Sequence, residues 1–359
     1  MDVGAFLDAV QKMPWYMEQI VHGEDVPARE ARYGTLDRPL DGRLEEALDG
    51  AGIDALYTHQ TDAINALRSG KNVIVSTGTA SGKSLCYNLP VLEALLQDRT
   101  ASAMYIFPTK ALAQDQRRAL GRLVPRSARL RYDIFDGDTP TPERGGIRRS
   151  ARLLITNPDM LHVGILPNHR LWYQRLRSLR YVVIDEAHVY RGVFGSHVAN
   201  IIRRLRRICE RFGSKPQFIL CSATIANPGE HAERLTGLPF EVVDDDGSPY
   251  GGKDFLFWNP PMLDLATGSR RSTNTESAQL FAELLRRYVR TMNFVRSRRA
   301  AELLYVYVRD NLKLSHPDVA KRVMPYRASY LPEDRRAIER DLAQVGCSAL
   351  RPRTRWSLG

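Results

Sequence analysis

The stretch Val73–Pro90 reads VIVSTGTASGKSLCYNLP. Its opening residues, Val73-Ile74-Val75, are apolar without alternation, as in a strand buried on both faces. Small residues follow (Thr77, Gly78, Thr79, Ala80, Ser81, Gly82), then Lys83 and Ser84, then an apolar helical pattern over Ser84–Leu96. Strand, small-residue loop and helix in that order are the setting of a phosphate-binding loop. Small side chains let backbone N–H groups turn inward around phosphate oxygens at a helix N-terminus. Lys83 would reach the β- and γ-phosphates of a bound nucleotide, and Ser84 would ligate Mg²⁺. The general pattern opens with a glycine where this chain has Thr77.

Working outward, continuous apolar runs recur at Met104–Phe107, Leu153–Ile155, Tyr181–Ile184 and Phe218–Cys221, with helical patterns such as Lys110–Leu123 and Ser196–Phe212 between them. Alternation of strand and helix predicts an α/β fold, a parallel sheet with helices on both faces. In Ser196–Phe212 the apolar stripe is Val198, Ile201, Ile202, Leu205 and Ile208, and Arg203, Arg204, Arg206 and Arg207 read as a solvated face. Directly after the strand Tyr181–Ile184 stands Asp185-Glu186-Ala187-His188. Carboxylates at the carboxyl end of such a strand sit where open α/β sheets bind ligands. Asp185 would hold Mg²⁺ through water, and Glu186 would orient or deprotonate an attacking water.

Composition bounds the rest. The chain has 359 residues, 43% hydrophobic and 26% charged, which excludes a disordered, fibrous or disulfide-stapled protein. No apolar run reaches the ~20 residues of a membrane helix. The four cysteines (Cys86, Cys209, Cys221, Cys347) form no paired motif, which points to a reducing cytoplasm. Cys86 and Cys221, in apolar surroundings, read as core thiols. The net charge of +11 suits a polyanionic partner. Trp15, Tyr16 and Trp258 read as packing residues rather than base-stacking ones, and His59 as structural.

Loop-rich segments at Asp244–Gly252 and Gly268–Thr275 suggest five parts: an N-terminal extension over 1–40, a nucleotide-binding domain over 41–254, a linker over 255–275, a partial second domain over 276–344, and a tail over 345–359. In the second domain we expect helices over Ser277–Val289, Ala300–Asp310 and Pro332–Leu342 and a strand over Thr291–Val295.

From about Gln19 to Gln344 the chain resembles the superfamily 2 helicases of the DEAD/DEAH-box kind. Tyr57-Thr58-His59-Gln60 is similar to their Q motif, Pro108–Gln116 (PTKALAQDQ) to motif Ia, Asp136-Gly137-Asp138-Thr139 to the glycine turn after it, and Ile155–His162 (ITNPDMLH) to motif Ib. Ser222-Ala223-Thr224 resembles motif III and Asn293–Ser297 motif IV. The resemblance implies two RecA-like domains, the second incomplete, with ATP and Mg²⁺ as cofactors. It implies that Gln60, with Tyr57, binds the adenine, and that Thr109, Lys110, Gly137, Thr156 and Asn157 line a nucleic-acid backbone. It also implies that His188, Ser222 and Thr224 couple the nucleotide site to strand movement. The runs Leu56–Gln60, Thr77–Pro90, Pro108–Gln116 and Tyr326–Arg336 are similar to the mitomycin-repair-factor and RecQ-four-like DNA helicases. That implies a 3′→5′ repair motor acting on single-stranded or forked DNA, with RNA the less favoured track.

The resemblance stops at Val345–Gly359 (VGCSALRPRTRWSLG), short of motifs V and VI. Codons can be chosen for Arg351–Gly359 that read Ala-Thr-Asn-Ala-Leu-Glu-Leu-Gly, the family's motif V, in another frame. We therefore expect a frameshift near Gln344–Val345, and a chain that binds ATP and DNA without unwinding. Three other readings stay open: an RNA helicase of the same superfamily, a nucleotide-dependent binding module without turnover, and a non-functional truncated remnant.

Overall fold

The computed structural model describes residues 3–326, 330, 337–338 and 348–352. Its strands, in chain order, are β1 (Ile20–Val26), β2 (Val73–Ser76), β3 (Ser102–Ile106), β4 (Tyr132–Ile134), β5 (Leu153–Thr156), β6 (Leu179–Ile184), β7 (Gln217–Ser222), β8 (Glu241–Val243), β9 (Lys253–Trp258), β10 (Met262–Asp264), β11 (Ser269–Arg270), β12 (Met292–Val295), β13 (Val323–Pro325) and β14 (Ser348–Pro352). Ala28–Gly251 forms one compact unit; the described residues of Met1–Pro27 and Gly252–Gly359 form another.

The Ala28–Gly251 unit is built on a seven-stranded sheet of order β4-β5-β3-β6-β7-β2-β8. Every neighbouring pair is parallel. Parallel strands need crossovers, and helices Lys83–Gln97, Lys110–Leu123 and Gly192–Arg211 supply three of them. Successive residues alternate between two apolar cores. Val73, Val75, Tyr105, Ile155, Val183 and Ile219 enter one, with Ile64, Leu67, Leu89 and Leu92 from the helices on that face. Ile74, Met104, Ile106, Leu154, Val182, Ile184 and Leu220 enter the other, with Val198, Ile202, Leu205 and Leu235. This explains the continuous apolar runs, since both faces of each strand are covered. Each such side chain contributes roughly 1.5–3 kcal/mol through burial. Edge strands β4 and β8 had no sequence signal. They are three residues each and only partly buried, too short and too wet to show a pattern.

The arginine face of helix Gly192–Arg211 departs from a purely solvated one. Arg203 donates to the carbonyl of Arg234 (3.3 Å), and Arg206 to those of Thr236 (2.7 Å) and Gly237 (3.2 Å). They satisfy carbonyls at the end of helix Pro228–Thr236 that have no partner within that helix. Arg206→Ala should lower unfolding stability by about 1–2 kcal/mol. Nucleic-acid affinity should be unchanged; a fall in affinity at full stability would refute this structural role.

In the other unit β1 pairs antiparallel with β9, from Ile20 opposite Trp258 to Val26 opposite Lys253. Glu276, 2% exposed, accepts from Trp258 Nε1 (2.8 Å), Gln19 Nε2 (3.2 Å) and Arg271 Nη1 (2.8 Å). The Trp15 and Tyr16 rings each lie 6.0 Å from Trp258, so the three aromatics do pack together. The expected divisions shift accordingly. Residues up to Pro27 belong with the C-terminal unit, and the 255–275 segment carries β9 to β11 rather than a plain linker. Long-range strand pairing, which local composition does not encode, causes both changes. Helices Thr273–Arg286 and Arg298–Leu312 close a small core around Phe281, Leu285, Leu304 and Val308. The helix expected over Pro332–Leu342 lies, apart from 337–338, outside the described residues. Of the 345–359 tail, residues 348–352 form β14, parallel to β12 and β13; the rest of it, with Cys347, also lies outside them. Among the described residues no helix is long and apolar enough to cross a membrane.

Candidate functional site

Parallel order brings the carboxyl ends of β2, β7 and β6 side by side, with Ser76 opposite Ser222 and Ile184 opposite Leu220. The loop after β2 closes on itself. Thr77 Oγ1 and Ser81 Oγ are 2.7 Å apart, and Lys83 Nζ donates to the carbonyls of Thr77 (3.1 Å) and Gly78 (2.5 Å). The Lys83 ammonium is thus held by neutral acceptors and can move to a stronger anion. Thr79 and Ala80 are exposed at the loop's tip, and Ala80 has φ +63°. Gly82, with φ +82°, precedes the helix, and a Cβ there would lie 2.6 Å from Gln60 Nε2, so only glycine fits. Ser84 is half-buried in the first helical turn.

Gln60 is buried beside this loop. Its Oε1 accepts from Tyr57 N (2.9 Å) and its Nε2 donates to Gly82 O (3.1 Å), which leaves one lone pair and one N–H. The Tyr57 ring stacks with those of Tyr33 (5.6 Å) and His59 (6.0 Å). His59, fully buried, is structural: its Nδ1 accepts from Gly247 N (3.2 Å), and burial lowers its pKa and keeps the ring neutral.

Asp185 follows β6. Its Oδ1 accepts from Glu186 N (2.8 Å) and its Oδ2 from the Tyr87 hydroxyl (3.0 Å), so the helix after the phosphate loop is tied to this carboxylate. Burial pushes the Asp185 pKa up to about 6. Glu186 has φ +52°, a conformation uncommon outside glycine that turns the chain sharply after the strand. His188 Nδ1 accepts from Ala223 N (3.3 Å), joining this turn to the Ser222–Thr224 segment. Burial lowers the His188 pKa, so the 3.4 Å approach of Glu186 Oε2 is a contact with a neutral ring. The Ser222 hydroxyl donates to Ala223 O (2.7 Å), and Thr224 is exposed. Cys86, Cys209 and Cys221 are buried free thiols, with pKa values raised by burial.

The residues expected along a nucleic-acid strand lie at the carboxyl ends of β3, β4 and β5, the same end of the sheet. Lys110 is exposed, with its Nζ 2.5 Å from Asp138 Oδ1, and Gly137 lies alongside. Thr109 and Asn157 cap helices, accepting from Leu112 N (3.3 Å) and Met160 N (2.8 Å). Thr156 requires a correction. It is buried, and its hydroxyl donates to Phe135 O (2.7 Å), so its side chain braces the β4–β5 end.

Two contributors escaped the sequence reading. Tyr87 looked like one more apolar helix residue. Asp246 looked like loop, yet its Oδ2 accepts from Gly78 N at 3.1 Å across 168 residues of sequence. Donors from Ser248 and Gly78 outweigh the cost of its burial and hold its pKa low.

Comparison with known proteins agrees with this arrangement. The DEAD/DEAH box helicase family profile matches residues 57–231, from Tyr57 through the phosphate loop and Asp185 to His231. Residues 57–231 are a DEAD/DEAH box helicase domain. The chain is 46% identical, over 91% of its length, to the uncharacterized ATP-dependent helicase YprA of Bacillus subtilis, covering 44% of that protein. It is 43% identical, over 94% of its length, to the ATP-dependent helicase HRQ1 of Saccharomyces cerevisiae, covering 32% of it. Its fold matches the crystal structure of the DUF1998 helicase MrfA bound to DNA and AMPPNP, with a TM-score of 0.89 and 43% identity, over 97% of this chain and 48% of that one. These likenesses agree with the mitomycin-repair-factor and RecQ-four-like resemblance. The chain spans less than half the length of each of these relatives.

Proposed function

We propose that this chain forms the nucleotide-binding motor part of an ATP-dependent DNA helicase. The observation that carries this reading is the Tyr87 hydroxyl bridging from the phosphate-loop helix to Asp185. It links the two halves of an ATP site at the sheet end that also presents Lys110, Gly137 and Asn157. Lys83 would exchange two backbone carbonyls for the β- and γ-phosphates. Thr77 to Ser84 would cradle the phosphates, and Tyr57 and Gln60 would meet the base with the capacity Gln60 has left. Ser84 and ionised Asp185 are the donors that fit Mg²⁺, which when bound would neutralise phosphate charge. Glu186 would orient the attacking water. His188, Ser222 and Thr224 would carry the nucleotide state across from the β6 end to the β7 end.

MrfA's capture with DNA and the 43% identity to it support DNA as the partner; with it we propose the finer reading of a 3′→5′ repair motor on single-stranded or forked DNA in the cytoplasm. Exposed Lys110 and Gly137 suit phosphates, which position a strand without reading its sequence. The test is ATP hydrolysis with single-stranded DNA or RNA of equal length. DNA should stimulate more strongly, and binding should weaken as salt rises. Stronger stimulation by RNA would make this an RNA helicase. MgATP binding without turnover would make it a binding module.

A further inference from the structure

β8 runs parallel to β2 at the edge of the sheet, so the segment after β8 emerges beside the phosphate loop. There Asp246 makes a specific set of contacts. Its Oδ2 accepts from Gly78 N (3.1 Å). Its Oδ1 accepts from Ser248 N (2.9 Å) and Ser248 Oγ (2.7 Å). Arg29 Nη2 lies 3.3 Å from the same oxygen, donates to Ser248 O (2.8 Å), and stacks over Tyr250 at 4.7 Å. Gly247 meanwhile donates to buried His59 in the helix that carries Gln60. The carboxylate is therefore held from three sides and aimed at one backbone N–H of the phosphate loop.

Gly78 is held at both ends: Asp246 takes its N–H and Lys83 its carbonyl. If Lys83 leaves for phosphate oxygens, the Thr77 and Gly78 carbonyls lose its donor, while the Asp246 bond stays on the Thr77–Gly78 peptide. We propose that Asp246 is a positioning residue for ATP binding, holding the Gly78 end of the phosphate loop in place when Lys83 turns to the nucleotide. The inference rests on the nucleotide reading of the loop given above. Both residue types are required. A Cβ on Gly78 would lie 3.1 Å from Asp246 Oδ2, tight enough to push the carboxylate away. Both carboxylate oxygens accept from N–H donors, so asparagine must set its own NH₂ against either Gly78 N–H or Ser248 N–H. The carboxylate is also neutralised locally by Arg29, which limits its repulsion of a bound polyphosphate.

The experiment is MgATP titration of the 359-residue chain, with thermal melting of each variant alongside. Asp246→Asn should weaken MgATP roughly tenfold, the scale of one hydrogen bond to a charged group. Gly78→Ala should weaken it to a similar degree. Gly78 does not have a positive φ, so alanine there adds no backbone strain, crowds Asp246, and serves if Asp246→Asn fails to fold. The double variant should be no worse than either single one, because both break the same contact. Unchanged affinity in a folded Asp246→Asn or Gly78→Ala protein, or effects that simply multiply, would overturn the proposal. A loss of melting temperature with full MgATP affinity would do the same, since it marks a purely structural role. Lys83→Ala in the same titration separates the two readings. If it binds MgATP normally, the nucleotide site itself is wrong; if it does not while Asp246→Asn does, only the role of Asp246 falls.

Discussion

Lys83→Ala is expected to weaken MgATP binding by a hundredfold or more. In the free protein the Lys83 ammonium donates to two neutral carbonyls, at 3.1 and 2.5 Å, and is paired with no carboxylate among the described residues. Moving to phosphate oxygens replaces these bonds with charge-assisted ones, each contributing about 1.5–3 kcal/mol. Two such bonds correspond to at least about 3 kcal/mol, hence more than 10²-fold in affinity. The same substitution leaves the Thr77 and Gly78 carbonyls without their donor and so loosens the loop by up to about 1–2 kcal/mol. Calorimetric titration with MgATP, on protein whose fold is checked by circular dichroism, measures the first effect. A folded Lys83→Ala chain that binds MgATP within a few-fold of the parent would remove the basis for the nucleotide reading.

Asp185→Asn is expected to stabilise the fold while removing the metal's contribution to nucleotide affinity. Burial raises the Asp185 pKa from 3.8 to about 6. The sign follows from linkage. As pH rises, the unfolded chain loses this proton near its ordinary value, but the folded chain holds it until about 6. Ionising Asp185 therefore costs nothing below the lower value and its full penalty above the upper one. At ~1.4 kcal/mol per pKa unit the penalty at neutral pH is about 3 kcal/mol. Asparagine escapes it and keeps the local bonds. Its oxygen can accept from Glu186 N, and its NH₂ can donate to the Tyr87 hydroxyl, which then donates to Gln116 Oε1 at 3.2 Å. Denaturant unfolding of the full chain, followed at the transition that MgATP shifts in the parent, should show the gain at pH 7 and almost none near pH 4. Equal stability at pH 7, or a loss there, would show that Asp185 carries no such penalty. In the parent the Mg²⁺-dependent part of nucleotide affinity should fall below about pH 6, as Asp185 takes up a proton; in Asp185→Asn it should be missing at every pH.

These two residues also show where sequence and structure divide. Lys83 was legible because its neighbours declare their conformation locally. A β-branched strand, a run of small residues and an apolar helix each state a backbone preference, and only one arrangement joins them. Strands β2, β3, β5, β6 and β7 were legible for a related reason. Each is apolar on both faces, and burial on both faces requires a covered parallel sheet. The raised pKa of Asp185 comes from burial created by long-range packing, and the hydroxyl that grips it belongs to Tyr87, 98 residues away, which no local pattern marks as a donor.

The sequence by itself determined the α/β class, the phosphate loop, the acidic turn after β6 and the resemblance to helicases, since these rest on short-range preferences and contiguous motifs. Only the tertiary structure decided the rest. It paired β1 with β9, turned Thr156 inward onto Phe135, set Arg203 and Arg206 on the end of a neighbouring helix, and brought Asp246 to Gly78. The physical reason is common to all four. A backbone N–H or C=O left without water needs a partner, and which group reaches it is settled by the packing of segments far apart in the chain.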